Sequence, residues 1–371
     1  MVSASALTHA RAKLRAGAFI EWNQTAVLPT VYGPAHAGLV QRWRGHRLLA
    51  VDSSLWRLPD SAELRQQFGV VQCGNQHGEH ESYPEARVSA LYDLLNQVAL
   101  DAQLVASRQS ERPLAEAHLS AIQADDVILT DRGYTGYRWF VRVRERSGHF
   151  LSRCSRASFA AAQALFARDQ AGVSRIATLS APKELRAECR ARGWPLALRV
   201  RLVTVRLSTG ELEVLATSLL DEASYPTESF GKVYGRRWGQ ETFYGRLKGR
   251  LDLEPCSGTT VEAVEQDFPA LILLSNVESV VIGPAQAELA RASAQRAEPV
   301  QVNRAVSLHS LKSRLIELLA SRMPAEQVLT ELTKWFLHNP TRVRRGRPVR
   351  RRTFSPSRSY HYQRRVRTIV F

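Results

Sequence analysis

Four polar side chains at fixed spacing mark the C-terminal half of the chain: Tyr234, Arg237, Glu241 and Lys248. On one α-helix these positions fall within a sector of about 60°. Two cations beside one carboxylate would keep it ionised and leave positive charge for phosphate groups. The alternative is a solvated charged face, which is the usual position of such residues.

Two aspartates each follow a short apolar run. Residues 48–51 (LLAV) precede Asp52, and residues 126–130 (DVILT) precede Asp131. Short apolar runs that end in a polar residue are typical of buried strands. We therefore expect Asp52 and Asp131 at the ends of two buried strands.

The spacing Tyr234-x2-Arg237-x3-Glu241-x6-Lys248 resembles the YREK signature of the insertion-sequence type 4 family of DDE transposases. By chance such a set occurs only about 0.002 times in a chain of this length. Residues 50–60 (AVDSSLWRLPD) resemble the family's first catalytic segment, although Ser53 departs from the frequent Asp-Gly-Thr. Residues 129–134 (LTDRGY) resemble the second, and residues 84–101 resemble the intervening helix. The resemblance covers roughly residues 4–290.

This resemblance implies that Asp52, Asp131 and Glu241 are the catalytic and metal-binding residues. Mg²⁺ prefers oxygen ligands, with Mn²⁺ a possible substitute, and two ions about 4 Å apart can serve both sides of an in-line phosphoryl displacement. We expect Asp52 to bridge both ions, with Asp131 and Glu241 holding one each. Water would cut DNA at the element end, and the released 3′-OH would then attack target DNA. Tyr234, Arg237 and Lys248 would hold the DNA backbone.

Hydrophobic periodicity predicts the elements that position these residues. The apolar spacing Val88, Leu91, Leu95, Val98 and Ala102 predicts a helix within residues 85–108. A strand at 126–130 is followed by a helix at 134–145, and residues 196–207 and 211–220 form a hairpin. Further helices are predicted at 4–16, 227–250, 261–281, 284–294, 307–321 and 324–337.

Together with the resemblance, these elements predict an α/β fold: an RNase H-like mixed-sheet core interrupted by a β-rich insertion, with C-terminal helices and a basic tail. The predicted boundaries follow the chain. They are an N-terminal helical segment (1–46), the first part of the core (47–148), the insertion (149–226), the second part of the core with the Glu241 helix (227–294), C-terminal helices (295–339) and the tail (340–371).

The net charge indicates a polyanionic partner. The 371 residues include 51 Lys+Arg and 35 Asp+Glu, giving +16. Residues 341–371 hold eleven arginines and no Lys, Asp or Glu, so the tail carries +11 of that charge. A GC-rich genome would explain the preference for arginine over lysine but not this clustering. We predict that Arg344, Arg345 and Arg347 contact double-stranded DNA.

Cysteine usage and apolar segments favour a DNA-associated protein of the bacterial cytoplasm, without a membrane partner. The four cysteines form no CxxC pair, which fits unpaired thiols in a reducing compartment. No signal peptide is evident, and the apolar residues 268–282 are too short and too interrupted for a membrane span. Cys73, His77 and His80 have a zinc-like spacing, but a polar loop is the favoured interpretation.

Three further side chains have open interpretations. Trp238 either stacks on DNA or belongs to the core, and the core is favoured. Arg199 and Arg201 either line a DNA groove or cover a solvent-facing strand. Residues 211–220 contain no tryptophan that could stack on a flipped base.

The leading hypothesis is a cut-and-paste DNA transposase that acts as a homodimer on DNA. The alternative is a DNA-binding remnant that no longer transposes. Only 51 residues precede Asp52, whereas family members commonly carry a longer N-terminal helical domain, so we expect this segment to be truncated. The YREK spacing disfavours a generic RNase H-fold nuclease.

Overall fold

The computed structural model describes residues 4–74, 80–251, 253, 255–294, 298–320 and 323–343. The strands in this part of the chain are β1 (Leu48–Arg57), β2 (Val70–Gly74), β3 (His80–Asp93), β4 (Val98–Ala106), β5 (Val127–Thr130), β6 (His149–Arg153), β7 (Ser174–Ser180), β8 (Ala197–Arg206), β9 (Leu212–Thr217), β10 (Val300–Val302) and β11 (Pro340–Arg342).

Helices precede, connect and follow the strands. The α-helices are α1 (Ala4–Arg11), α2 (Gly17–Trp22), α3 (Leu28–Tyr32), α4 (Ala62–Phe68), α5 (Glu111–Ala117), α6 (Tyr137–Glu145), α7 (Ala160–Arg168), α8 (Arg186–Arg192), α9 (Ser229–Gly235), α10 (Trp238–Gly249), α11 (Val261–Ala292), α12 (Arg304–Ala320) and α13 (Ala325–His338). A π-helical turn (Asn23–Val27) joins α2 to α3, and 3-10 turns lie at Pro34–His36, His118–Ala121 and Lys183–Leu185.

The nine strands β1–β9 form one mixed sheet. Its order is β2-β3-β1-β5-β6-β9-β8-β7, with β4 also paired to β3. Strands β1, β5 and β6 are parallel, whereas β3 runs antiparallel to both β1 and β4. The predicted α/β class with a mixed-sheet core is confirmed.

The central strands are buried on both faces, as parallel strands flanked by helices usually are. On one face, Ala50 and Leu129 pack in a core with Phe243 of α10 and Phe268 of α11. Residues on the other face of the sheet pack against α5, α6 and α7 in a second core. The sheet is therefore a layer between two groups of helices, and α10 covers one face of β1.

The predicted helix within 85–108 is wrong, because this segment forms strands β3 and β4. Val88 and Leu91 have the spacing of three that suits a helix, but in β3 they lie in the cores on opposite faces of the sheet. Ala86, Val88, Ala90 and Tyr92 alternate into one buried face. The carboxylate of Asp93 then accepts hydrogen bonds from the backbone N–H groups of residues 95 and 96, which stabilises the turn before β4.

Strand β1 also continues past the predicted end at Asp52. Residues 53–57 stay paired with β3, so Asp52 lies in the middle of a ten-residue strand. The expected strand at 126–130 and the helix after it correspond to β5 and α6, shifted by one to three residues at their starts.

The β-rich region extends the same sheet. Strands β8 and β9 form the predicted hairpin, and β7 pairs antiparallel with β8. Strand β6, which the predicted boundary assigns to the insertion, pairs in parallel with β5 on one side and antiparallel with β9 on the other. The region between β6 and β8 also contains the helices α7 and α8.

Helix α11 is a single 32-residue element where two helices, 261–281 and 284–294, were predicted. It is long and apolar enough to cross a membrane, but 56% of its most apolar 18-residue window is buried inside the protein. Asn276 accepts a hydrogen bond from the Ala99 N–H and donates one to the Ala99 carbonyl, both at 2.8 Å. These contacts fasten α11 to β4 as a core helix.

Candidate active site

Asp52 lies in β1, and Asp131 directly follows the adjacent parallel strand β5. The register of β1 and β5 pairs Ala50 with Leu129. Extended by two residues, this register sets Asp52 opposite Asp131, which directly follows β5. The two predicted aspartates therefore face each other across one strand pair.

Helix α10 carries Glu241 and is fastened to two strands of the sheet. Tyr244 donates a hydrogen bond from its hydroxyl to the Asp52 carbonyl at 2.8 Å. Gln240 donates from its amide to the Ala90 carbonyl at 3.0 Å. Both acceptors are backbone carbonyls of the paired strands β3 and β1, so these contacts fix the position of α10 relative to the sheet.

Arg237 connects two of the three carboxylates. Its Nη2 lies 3.0 Å from Oε1 of Glu241, and its Nη1 lies 3.7 Å from Oδ2 of Asp52. The guanidinium is buried, which disfavours its charge, but Tyr234, Glu241 and Asp52 outweigh burial and raise the Arg237 pKa. A permanent cation therefore lies between these two carboxylates.

Asp52 is a partly buried carboxylate with incomplete charge compensation. Burial raises its pKa to about 6, although the Ser53 N–H and Arg237 act in the opposite direction. The negative charges of Asp131 and Glu111 raise the pKa further. An additional cation nearby would favour the ionised form of Asp52.

The turn after β5 holds Asp131 in place. The Gly133 N–H donates to Oδ1 of Asp131 at 2.7 Å. A Cβ atom at Gly133 would lie only 3.0 Å from that oxygen, so a larger residue would crowd the carboxylate. The Thr135 hydroxyl contacts the Asp131 carbonyl at 3.3 Å and the Arg153 carbonyl at 2.6 Å.

Tyr234 and Lys248 make internal hydrogen bonds. The expected single helix is broken, since α9 ends at Gly235 and α10 begins at Trp238. Tyr234 is buried on α9 and donates to the Thr130 carbonyl at 3.2 Å, just before Asp131. Lys248 donates from Nζ to the Leu55 carbonyl at 2.6 Å. Their expected contacts with DNA stay predictions.

Two of the open interpretations are corrected by the structure. Trp238 is 54% exposed, so the favoured core position is wrong, and its indole stands at the start of α10 beside Arg237. Arg201 is fully buried and donates to Ser174, Thr227 and the Tyr225 carbonyl. It neither lines a groove nor covers a solvent-facing strand.

Other residues singled out in the sequence lie outside the described part of the chain or have side chains that are not described. Arg344, Arg345 and Arg347 lie outside the described residues, and so does His77 of the zinc-like spacing. The side chains of Cys73 and His80 are likewise not described. The three cysteines whose side chains are described, Cys154, Cys189 and Cys256, are buried.

Sequence reasoning missed a polar cluster beside Asp52. Glu111 at the start of α5 accepts a 2.7 Å hydrogen bond from the Ser53 hydroxyl and forms an ion pair with Arg87. Uncharged Gln240 and Tyr244 were missed because they belong to no charged motif. Their spacing of four on a helix that carries a candidate carboxylate was the available signal.

The donor set suits a hard divalent cation, although the side chains are not arranged as a ready-made site. Within the described ranges, no three His, Cys, Asp or Glu side chains are grouped as a metal site. Asp52, Asp131 and Glu241 nonetheless offer only oxygen donors, as Mg²⁺ prefers. Asp131 and Glu111 place negative charge near Asp52, so a cation bound by these oxygen donors would favour the ionised form of Asp52.

Comparison with known proteins gives concordant matches. Residues 43–277, which include Asp52, Asp131 and Glu241, match the family described as Transposase DDE domain. The chain is 33% identical over 134 residues to "Putative transposase InsZ" of Escherichia coli (strain K12), covering 36% of this chain and 42% of that protein. It is 25% identical over 244 residues to "Transposase InsG for insertion sequence element IS4" of the same strain, covering 63% and 52%.

The chain spans about half of these relatives' lengths or less. Among solved structures, it is similar to the cryo-EM structure of the piggyBac transposase synaptic complex with hairpin DNA. The TM-score is 0.44 and the identity 11%, over 84% of this chain and 62% of that one.

Proposed function

Because this chain belongs to the DDE transposase family and is similar to the IS4 type, we propose that it catalyses metal-dependent DNA cleavage at element ends and strand transfer into target DNA. The observation that carries this proposal is that Asp52 lies across one strand pair from Asp131 and is linked to Glu241 through Arg237. The β1–β5 register sets the two aspartates opposite each other. Gln240 and Tyr244 of α10, the helix that carries Glu241, donate hydrogen bonds to carbonyls of the adjacent strands β3 and β1.

The three carboxylates would hold two Mg²⁺ ions, for which Mn²⁺ is a possible substitute. When bound, such ions activate the attacking oxygen and stabilise the leaving oxygen of an in-line phosphoryl displacement. Asp52, Asp131 and Glu241 would supply the protein's oxygen ligands. The repulsion between Asp52 and Asp131 supports this metal-binding role, because a bound cation would reduce it.

The cations and the exposed indole near Glu241 would position the DNA. Arg237 holds Asp52 and Glu241 through its two terminal nitrogens, and in the complex it would turn part of its charge toward a backbone phosphate. Tyr234 would act indirectly, through its hydrogen bond to the carbonyl of Thr130, the last residue of β5 before Asp131. Lys248 would contact the DNA backbone further along α10. Trp238 offers a stacking surface for an unpaired base.

Double-stranded DNA is therefore the proposed partner, in the form of element ends and target, with a homodimer assembled on it in the bacterial cytoplasm. No membrane role is proposed. Arg344, Arg345 and Arg347 would contribute sequence-independent phosphate contacts. The alternative of a DNA-binding remnant is not favoured, because the transposase family model spans the region that contains all three carboxylates.

The test is a nicking assay on a duplex that contains the element's own end, with Mg²⁺ present. Asp52→Asn, Asp131→Asn and Glu241→Gln should each abolish nicking, because each removes a charged metal ligand. Asp125→Asn is the matched control: its carboxylate is 77% exposed at the opposite end of β5, and asparagine tolerates its positive φ of 65°. Retained nicking in any of the three variants would refute that residue's role.

A further inference from the structure

The first two residues of α5 contact the residues that hold the carboxylates of Asp52 and Asp131. Each aspartate accepts a hydrogen bond at Oδ1 from a nearby backbone N–H group. The Ser53 N–H donates to Asp52 at 2.8 Å. The Gly133 N–H donates to Asp131 at 2.7 Å. The orientation of each carboxylate therefore depends on the position of one neighbouring residue.

Glu111, the first residue of α5, holds Ser53 through its side chain. The Ser53 hydroxyl oxygen lies 2.7 Å from Oε1 of Glu111 and 2.9 Å from Nη1 of Arg87. A guanidinium nitrogen only donates and a carboxylate only accepts. The hydroxyl therefore accepts from Arg87 and donates its own proton to Glu111, so Ser53 is held from two sides.

Arg112, the second residue of α5, contacts the turn that carries the other aspartate. Its Nε donates to the Gly133 carbonyl at 2.9 Å, while the N–H of the same glycine donates to Asp131. Gly133 is therefore held at both of its backbone polar groups. Two consecutive side chains of one helix thus hold the residues beside two different carboxylates.

Helix α5 itself has a fixed position relative to the sheet. Leu114 and Ala115 are buried, and Ala115 belongs to the core on this face of the sheet. Farther along the helix, Glu116 accepts a hydrogen bond of 2.8 Å from Nε of Arg138 on α6. The side chains of its first two residues therefore extend from a packed element, so their contacts can set the separation of the two aspartates.

We propose that Glu111 and Arg112 are positioning residues: together they set the separation of the two aspartate carboxylates for a divalent cation. Each acts through the residue beside one aspartate, not by contact with the cation or with DNA. Outer contacts of this kind orient the ligands of a metal site, and their loss weakens metal binding. The inference rests on the proposed metal-binding role of Asp52 and Asp131.

Binding of Mn²⁺ to the full chain, without DNA, tests the arrangement. The EPR signal of free Mn²⁺ is lost on binding and gives the affinity. Glu111→Ala and Arg112→Ala should each weaken binding about two- to tenfold, the effect of one lost hydrogen bond. For Arg112→Ala this sign is opposite to the effect of charge, since the loss of a nearby cation alone would strengthen Mn²⁺ binding. Unchanged or tighter binding by Arg112→Ala would overturn the proposal.

Two further variants separate geometry from charge at Glu111. Glu111→Gln keeps a side-chain oxygen that can accept from Ser53. Because position 111 is 45% exposed and water and salt screen its charge, Mn²⁺ affinity should stay within about twofold of the unmodified chain. A loss as large as that of Glu111→Ala would overturn the positioning role. Ser53→Ala combined with Glu111→Ala should bind no more weakly than either single variant, because both remove the same contact; additive losses would contradict this contact.

Glu116→Ala is the matched control on the same helix. It also removes a carboxylate, and the lost ion pair with Arg138 should lower the urea midpoint while Mn²⁺ affinity stays unchanged. Weaker Mn²⁺ binding by this variant would mean that any loosening of α5 has the same effect, and the specific role of the first two residues would be rejected.

The nicking assay separates this inference from the proposed function. Arg112→Ala should lower kcat at limiting Mg²⁺, with KM for DNA unchanged, and a higher Mg²⁺ concentration should restore the rate. A raised KM with unchanged Mn²⁺ affinity would make Arg112 a phosphate contact and overturn its positioning role, while Asp52→Asn and Asp131→Asn still abolished nicking. If those two variants retained nicking, the proposed function itself would fail, whatever the Mn²⁺ affinity of Arg112→Ala.

Discussion

Replacing Asp52 by asparagine should make the folded protein more stable while removing the proposed metal ligand. The Asp52 carboxylate has a side-chain exposure of 25% and a pKa of about 6, against the usual 3.8. Burial is the main cause, and the negative charges of Asp131 and Glu111 add to it. At neutral pH the ionised group therefore disfavours the folded state, and asparagine removes that cost.

The size of the effect follows from the pKa. A rise from 3.8 to about 6 corresponds to about 3 kcal/mol of unfavourable free energy once the group is ionised. Asparagine keeps an oxygen for the Ser53 N–H but loses the attraction to Arg237 at 3.7 Å. We expect Asp52→Asn to raise the free energy of unfolding by about 1–3 kcal/mol at neutral pH.

The gain should depend on pH with a definite sign. Between pH 3.8 and about 6 the folded state keeps a proton on Asp52 that the unfolded state has lost. The stability of the unmodified chain therefore falls as pH rises through this window. The difference from Asp52→Asn should be small near the lower limit and complete above the upper one.

Urea denaturation at a series of pH values across this window measures the difference directly. Asp101→Asn is a control of opposite sign: the net pKa of Asp101 is lowered, since the contacts with His118 outweigh its burial, so removing its charge should destabilise the protein at neutral pH. The reasoning is refuted if Asp52→Asn is no more stable than the unmodified chain at neutral pH, or if the difference does not change with pH.

Three other expectations concern the exposed indole, the buried ion cluster and the tail. Trp238→Ala should slow end cleavage roughly tenfold, because stacking on a base contributes about 1–3 kcal/mol. The urea midpoint should stay constant, because the side chain is 54% exposed. A loss of stability that matches the loss of rate would argue against stacking. Glu278→Gln should lower the free energy of unfolding by about 3–5 kcal/mol, because Arg304 at 2.6 Å and Arg246 at 3.9 Å would keep their charges beside a neutral group. An unchanged urea midpoint would contradict this. Deleting residues 344–371, with ten arginines, should reduce the dependence of DNA affinity on salt; an unchanged slope in a fluorescence-anisotropy titration would reject the phosphate-binding role of the tail.

The positions of Asp52 and Asp131 beside buried strands could be predicted because they depend on local signals. Short apolar runs precede both residues, and helical spacing locates Glu241 on a helix. The grouping of the three was expected from the resemblance to the transposase family, because no local pattern shows which strands pair. Their catalytic roles stay proposals.

Other features depend on contacts that are distant in sequence. Residues 85–108 fit a helical period, and only pairing with β1 makes them strands. On either side of the break between α9 and α10, Tyr234 and Gln240 donate to carbonyls of the separate strands β5 and β3. Arg201 is buried because loop carbonyls and hydroxyls from residues 221–227 receive its hydrogen bonds. No period in the sequence encodes such partners.

Strand β6 has a consequence for the dynamics of the chain. One edge of β6 pairs with β5, the strand before Asp131, and the other pairs with β9 through Leu151, Ser152 and Arg153. The strand β9 is thus hydrogen-bonded through β6 to the strand that precedes Asp131. Amide hydrogens of β5, β6 and β9 should exchange with solvent as one cooperative unit, so the inserted strands cannot swing as a separate body when DNA arrives.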